Sequence, residues 1–98
     1  MTYTVNQNGN VLEIALQGRL DTVTAPELDK ALTPIPEGVN ALVYDFSKLD
    51  YVSSAGLRVL LRAHRSLPMG GTSKVVNCNP VVREVFSATG FTDVLEIE

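Results

Sequence analysis

Ala41-Leu42-Val43-Tyr44-Asp45-Phe46 is a nearly continuous apolar run near the middle of the chain. Such a run suits a central strand covered on both faces, as in a sheet flanked by helices. The rest of the chain must then supply neighbouring strands and helical cover, and its pattern does so. Tyr3-Thr4-Val5-Asn6-Gln7 alternates weakly, Asn8-Gly9-Asn10 is a turn signal, and Val11-Leu12-Glu13-Ile14-Ala15-Leu16 is a stronger apolar stretch. Together they predict a β-hairpin.

Gly18-Arg19-Leu20-Asp21 leaves the second strand. Thr24-Ala25-Pro26-Glu27 has the form of a capping box with proline in the first turn, so a helix is predicted from there to about Leu32, burying Leu28, Ala31 and Leu32. Pro34 and Pro36 end it. After the central strand, residues 47–51 read as a short loop leading to Ser53-Ser54-Ala55-Gly56 and a second helix that ends near Arg65. Leu67-Pro68-Met69-Gly70-Gly71 is a break, and Lys74-Val75-Val76-Asn77 reads as the next strand. Asn79-Pro80 caps a third helix with Val81, Val82, Val85 and Phe86 on one face and Gly90 as its stop. Val94-Leu95-Glu96-Ile97 reads as a short last strand. The order β-β-α-β-α-β-α-β predicts an α/β fold: a mixed sheet of about five strands with helices packed on it. Short loops leave little room for an elaborate active site.

Ninety-eight residues, 45% of them hydrophobic, suffice for one core and predict a single domain over residues 1–98. With no Trp, three Tyr and three Phe, aliphatic packing must dominate that core. Eight Lys+Arg against eleven Asp+Glu give a net charge of −3, the wrong sign for direct nucleic-acid binding. The one cysteine, Cys78, excludes an intramolecular disulfide, reads as a half-buried thiol, and fits a cytoplasmic address. The start, Met1-Thr2-Tyr3-Thr4-Val5, lacks the basic and apolar regions of a signal peptide, and no apolar run approaches the ~18 residues of a membrane span. Neither an internal repeat nor a low-complexity tract is present.

Three stretches together resemble the STAS domain family. Gly18-Arg19-Leu20-Asp21 is similar to the family's G-x-L-D at the end of the second strand. The segment from Asp45-Phe46-Ser47 through Asp50-Tyr51-Val52-Ser53-Ser54-Ala55-Gly56-Leu57 resembles its signature D-x-S-x-x-x-x-[hydrophobic]-D-S-[ST]-G-L. Val76-Asn77-Cys78-Asn79-Pro80, with Val85-Phe86 and Gly90, resembles the late strand and helix. The match covers nearly the whole chain. The central stretch is specific; the outer two are weak alone. Two positions depart from it: the signature's Asp is Ser53 here, and its second Ser/Thr is Ala55. The chain also ends soon after its last strand, where the family commonly adds a final helix.

The resemblance implies a bacterial anti-sigma factor antagonist. In that class the serine after the signature Asp, here Ser54, is phosphorylated by the partner anti-sigma factor, a serine kinase of the GHKL type. The phosphate blocks binding, and a metal-dependent phosphatase of the PP2C class removes it. The unmodified antagonist sequesters the anti-sigma factor and frees the sigma factor. Ser53 becomes a rival acceptor because it replaces the Asp. The implied partner surface comprises Asp21, Thr22, Ser53, Ser54, Gly56, Leu57, Arg58 and Arg62. A monomer is the expected state. Some small STAS proteins are instead non-phosphorylated scaffold subunits of lipid-transport ABC complexes, and the size of this chain fits that role as well.

The residues themselves give these positions a local reading. A serine at a helix start is a natural N-cap, worth ~1 kcal/mol against alanine, which accounts for one of the two serines. At 100° per residue Arg58, Arg62 and Arg65 share one stripe, with Ser54 to its side, while Ser53 projects toward Leu57, Leu60 and Leu61 and Gly56 falls inward. The arginines can meet acidic groups of a partner, fold back on a phosphate, or form a solvated face. Asp21 is either a turn carboxylate or part of a partner surface, and Thr22 and Thr24 read first as caps. Enzymatic activity is not expected. His64, the only histidine, lies roughly 15 Å along the helix from Ser54, too far to act as its base. There is no Cys/His cluster for a metal and no phosphate-cradling glycine loop, so neither metal nor cofactor is expected.

Overall fold

The computed structural model describes residues 1–98. β1 (Thr2–Asn8) and β2 (Val11–Leu20) form the hairpin around Gly9-Asn10. Gly9 has φ +64°, a value the tight turn needs and side chains with a Cβ seldom adopt. There follow α1 (Ala25–Ala31), β3 (Ala41–Val52), α2 (Ser54–Arg65), β4 (Thr72–Val76), α3 (Pro80–Thr89) and the two-residue β5 (Glu96–Ile97). The strands lie side by side in chain order, β1 antiparallel to β2 and every later pair parallel. This is the mixed five-stranded sheet with three helices that the pattern predicts.

Strand alternation aims Leu12, Ile14 and Leu16 of β2, Leu42, Tyr44 and Phe46 of β3, and Val75 of β4 at one face. Against them pack Leu28 of α1, Leu57, Leu60 and Ala63 of α2, and Val82 and Phe86 of α3, none of these side chains more than 3% exposed. Each large side chain so buried contributes about 1.5–3 kcal/mol. Phe46 stacks on Phe86 with ring centroids 6.3 Å apart, which docks α3 onto β3.

The central strand is covered on one face, not two. All three helices pack on the same side, and Ala41, Val43 and Asp45 on the other are only half-buried. Val43 lies in register between Glu13 of β2 and Lys74 of β4, whose long side chains flank it. The apolar run therefore combines a deeply buried face with residues sheltered by their sheet neighbours.

Residues 47–51 are not a loop. β3 continues to Val52 through two register shifts against β2, at the pairs Ala15/Gln17 and Gly18/Arg19. Phe46, Leu49 and Val52 stay inward at a spacing of three because each bulge inserts one residue into the alternation. The β4–α3 segment holds both bulges in place. Asp45 Oδ1 accepts from Ser47 N at 3.0 Å and from Asn77 Nδ2 at 3.3 Å. Asn79 Nδ2 donates to Leu49 O at 3.1 Å. The Ser47 N–H is the main reason the Asp45 carboxyl lies below its usual range.

Smaller differences lie at element ends. Thr24 does not cap α1 with its side chain; its hydroxyl donates to Arg19 O at 2.8 Å instead. β4 stops at Val76 because Asn77 takes φ +62°. Residues 91–93 form a single 3₁₀ turn, which leaves only Glu96–Ile97 as strand. Asn79 caps α3 through Val82 N at 2.8 Å, and Gly90 closes that helix in the left-handed conformation. No helix is long and apolar enough to cross a membrane.

Candidate functional site

The parallel strands β2, β3 and β4 all end at one edge of the sheet, and the segments leaving them carry the candidate residues. Loops at the carboxyl ends of parallel strands commonly carry the functional residues of open α/β sheets. β2 ends at Leu20 and runs into the turn at Asp21. β3 ends at Val52 and runs through Ser53 into α2. The two segments are joined, since Ser53 N donates to Leu20 O at 2.9 Å.

The two serines differ in what their hydroxyls do. Ser53 is extended, with φ −98° and ψ 175°, and is the N-cap of α2: its Oγ accepts from Gly56 N in a long bond of 3.5 Å. It is half-buried. Ser54 is the first helical residue, exposed, and its hydroxyl has no hydrogen-bond partner within the protein. The free N–H groups and positive dipole end of α2 meet solvent beside it. No acidic residue lies in the first turn of α2.

Gly56 sets how close this corner sits to the sheet. A Cβ there would lie 2.7 Å from Leu20 Cγ and 3.0 Å from Val52 Cγ2. The helix start rests directly on the last inward residues of β2 and β3. Leu57 follows at 3% exposure, so it anchors the helix in the core and offers no side-chain surface to a partner. Gly56 is likewise buried, and both belong to the support beneath Ser54.

Asp21 organises the neighbouring turn. Its Oδ1 accepts from Val23 N at 3.0 Å and Thr24 N at 3.1 Å, and its Oδ2 lies 3.8 Å from Arg19 Nε. The Thr24 N–H is the principal cause of a carboxyl held below its ordinary value, aided by the Val23 N–H, the Thr24 hydroxyl and the Arg19 charge. Arg19 also lies over the Tyr51 ring, 4.6 Å from its centroid. Asp21 is thus a turn carboxylate first.

Thr22, Ala55, Arg58 and Arg62 line a shallow groove between α1 and α2 together with Pro26 and Asp29. Arg62 Nη1 bonds Asp29 Oδ2 at 3.0 Å and so links the two helices. Arg58, one turn beyond Ser54, is exposed and has no ion-pair partner. The structure therefore gathers Thr22, Arg58 and Arg62 on one surface beside Ser54, and puts Gly56 and Leu57 beneath it. His64 is at the far end of α2, half-buried, with Nδ1 2.7 Å from Ser73 Oγ, and takes no part.

Sequence reasoning missed two exposed apolar residues on the segments at this edge: Val23, 86% exposed in the Asp21 turn, and Val81, 58% exposed at the start of α3. Val23 was legible as a lone apolar residue between two threonines with no periodic partner. Val81 falls outside the buried face of α3, where the helical spacing fits its neighbour Val82 better.

Comparison with known proteins addresses the family and the fold. The STAS domain model matches residues 2–98. BtrV of Bordetella bronchiseptica is 33% identical across 99% of this chain and 85% of its own length. The anti-sigma-B factor antagonist of Bacillus subtilis is 29% identical across 95% of this chain and 86% of its own. Among solved structures, an anti-sigma factor antagonist from Mycobacterium paratuberculosis superposes with a TM-score of 0.86 at 28% identity, covering 98% of this chain and 83% of that one.

Proposed function

The chain belongs to the STAS domain family, and on that premise we propose that it is an anti-sigma factor antagonist whose binding is switched off by phosphorylation of Ser54. The observation that carries this reading is the contrast between adjacent hydroxyls: Ser53 is half-buried and engaged as a cap, while Ser54 is exposed and unengaged. Relatives are named as antagonists of anti-sigma factors, which supports a regulatory role for this chain in preference to an enzymatic one.

The physics of the switch follows from where Ser54 sits. A phosphate adds about −1.5 to −2 charge at pH 7, and the positive end of the helix dipole receives it well. With no acidic residue in the first turn of α2, nothing there repels it. The fold is therefore kept on phosphorylation, and the effect falls on the partner. A docked protein would have to desolvate the phosphate, and about 1.4 kcal/mol of that cost already lowers affinity tenfold. The partner is an anti-sigma factor that is also the serine kinase, of the GHKL type, and a PP2C-type phosphatase restores the binding form. All of these work in the cytoplasm.

Ser53 in place of the signature's Asp fits this scheme. Serine and aspartate both cap helices well, so the change keeps the helix start while removing a negative charge next to the acceptor.

The test is incubation with the cognate kinase and ATP, followed by intact-mass measurement and peptide mapping. One phosphate on Ser54 is expected. Phosphate on Ser53 would overturn the assignment of the acceptor, and no phosphate at all would favour a non-switching scaffold.

A further inference from the structure

β1 is an open edge of the sheet. Its hairpin closes on Asn8 and Val11 through the two-residue turn Gly9-Asn10. The pair that closes such a turn is hydrogen-bonded, and bonding then alternates along the antiparallel ladder. Asn8, Asn6, Thr4 and Thr2 thus bond inward to β2, while Tyr3, Val5 and Gln7 direct their backbone N–H and C=O groups outward. None of the backbone bonds formed outside the ladders and helices engages these three residues.

Exposed edges are usually guarded by a charge, a proline, a bulge or a covering element. β1 has none of these. Its sequence, Thr2-Tyr3-Thr4-Val5-Asn6-Gln7-Asn8, contains no charged residue and no proline. Its register with β2 is unbroken, and every residue except Tyr3 is exposed.

We propose that β1 pairs antiparallel with β1 of a second copy about a two-fold axis at Val5, joining the two five-stranded sheets into one. The outward residues are spaced symmetrically around Val5, so a two-fold axis there satisfies all of their backbone groups at once. Tyr3 falls opposite Gln7 of the partner subunit, and Thr4 opposite Asn6 of the partner subunit. Val5, 38% exposed, packs against its own copy. A two-fold axis brings identical strands together, so a charge near its centre would meet its like, and this strand has none. That absence favours a second copy over a charged partner strand. A single pair of seven-residue strands makes a small junction, so association is expected to be weak and to depend on concentration. The Ser54 surface lies at the strand ends and stays open in the pair.

Sedimentation equilibrium from micromolar to millimolar protein should show a mass rising from 10.6 kDa toward twice that value. Val5→Pro removes an outward donor and no ladder bond of the hairpin, and it should weaken association at least tenfold. Val5→Lys places like charges on the axis and should do the same, with circular dichroism confirming the fold of both. In a Cys78→Ala background, Val5→Cys should cross-link under mild oxidation, since facing Cα atoms in a hydrogen-bonded pair lie about 5.5 Å apart. A strictly monomeric mass up to millimolar concentration would overturn the proposal. So would a dimer that both Val5 variants leave unchanged. These readouts do not involve Ser54 and stand or fall apart from the phosphorylation switch.

Discussion

The backbone N–H of Ser53 is bonded to the carbonyl of Leu20 at 2.9 Å. The cap of α2 is thereby fastened to the neighbouring strand, and the Ser54 hydroxyl is held at a fixed offset from the Asp21 turn. A change at Ser54 should alter binding without loosening this fastening.

Ser54→Ala should bind the anti-sigma factor constitutively, and Ser54→Asp should bind it at least tenfold more weakly, with melting temperatures of both close to wild type. Titration calorimetry gives the affinities and thermal melts the control. Equal affinities for the two variants would remove the charge mechanism.

Gly56→Ala should destabilise the protein although alanine favours helix by about 1 kcal/mol. The new methyl would lie 2.7 Å from Leu20 Cγ, and overpacking of this kind costs about 1–3 kcal/mol. A melting temperature lower by roughly 5–10 °C is expected. An unchanged or higher value would mean that α2 can move off the sheet without cost.

Arg58→Glu should slow association with the partner, and the difference from wild type should shrink as salt rises, because exposed charge mainly steers encounter. Arg62→Glu should do less to association, since that guanidinium is already held by Asp29. Stopped-flow association rates at several ionic strengths decide it; a rate for Arg58→Glu equal to wild type at every salt concentration would take Arg58 out of the interface.

Asp21 contributes to stability in a pH-dependent way. Its folded carboxyl lies below the ordinary value of 3.8, held there chiefly by the Thr24 N–H. The contribution is complete above that value and is lost as pH falls through the folded one. Asp21→Asn should therefore narrow the gap between urea midpoints at pH 7 and pH 3. Asp45, shifted in the same direction, keeps part of that gap in the variant. An unchanged gap would show that the Asp21 turn is already open before the protein unfolds.

Tyr44→Phe should raise stability by about 1 kcal/mol. The Tyr44 hydroxyl is buried with no hydrogen-bond partner, and burial holds it protonated far above its usual range. A lower melting temperature for the variant would mean that the hydroxyl is satisfied in solution.

The order of elements was legible because its punctuation is local. Asn79 and Gly90 bound α3 through chemistry contained in a few residues, and Gly9 marks the hairpin by its own backbone freedom. The second half of β3 was not legible, because its bulges break the period of two and are held by Asn77 and Asn79, about thirty residues away in sequence. One-sided cover of the sheet was hidden for a related reason: the shelter of Val43 comes from Glu13 and Lys74 on other strands. At the site, the 100° helical projection sets Ser54 apart from the core-facing Ser53 but leaves open which serine caps, and the Arg62–Asp29 bond depends on how α1 lies against α2.

Between the pairs Ala15–Asp45 and Leu20–Val52, five steps along β2 correspond to seven along β3. The extra residues act as a phase adjustment, delivering Val52 inward and level with Leu20 just before the helix begins. Which serine caps and which stands free is therefore set upstream, by residue count within the strand. Deleting one residue between Lys48 and Tyr51 would advance the chain by one position at the corner, carrying Ser54 toward the cap and Ala55 into the exposed place. The acceptor would be lost with every residue of the helix still present.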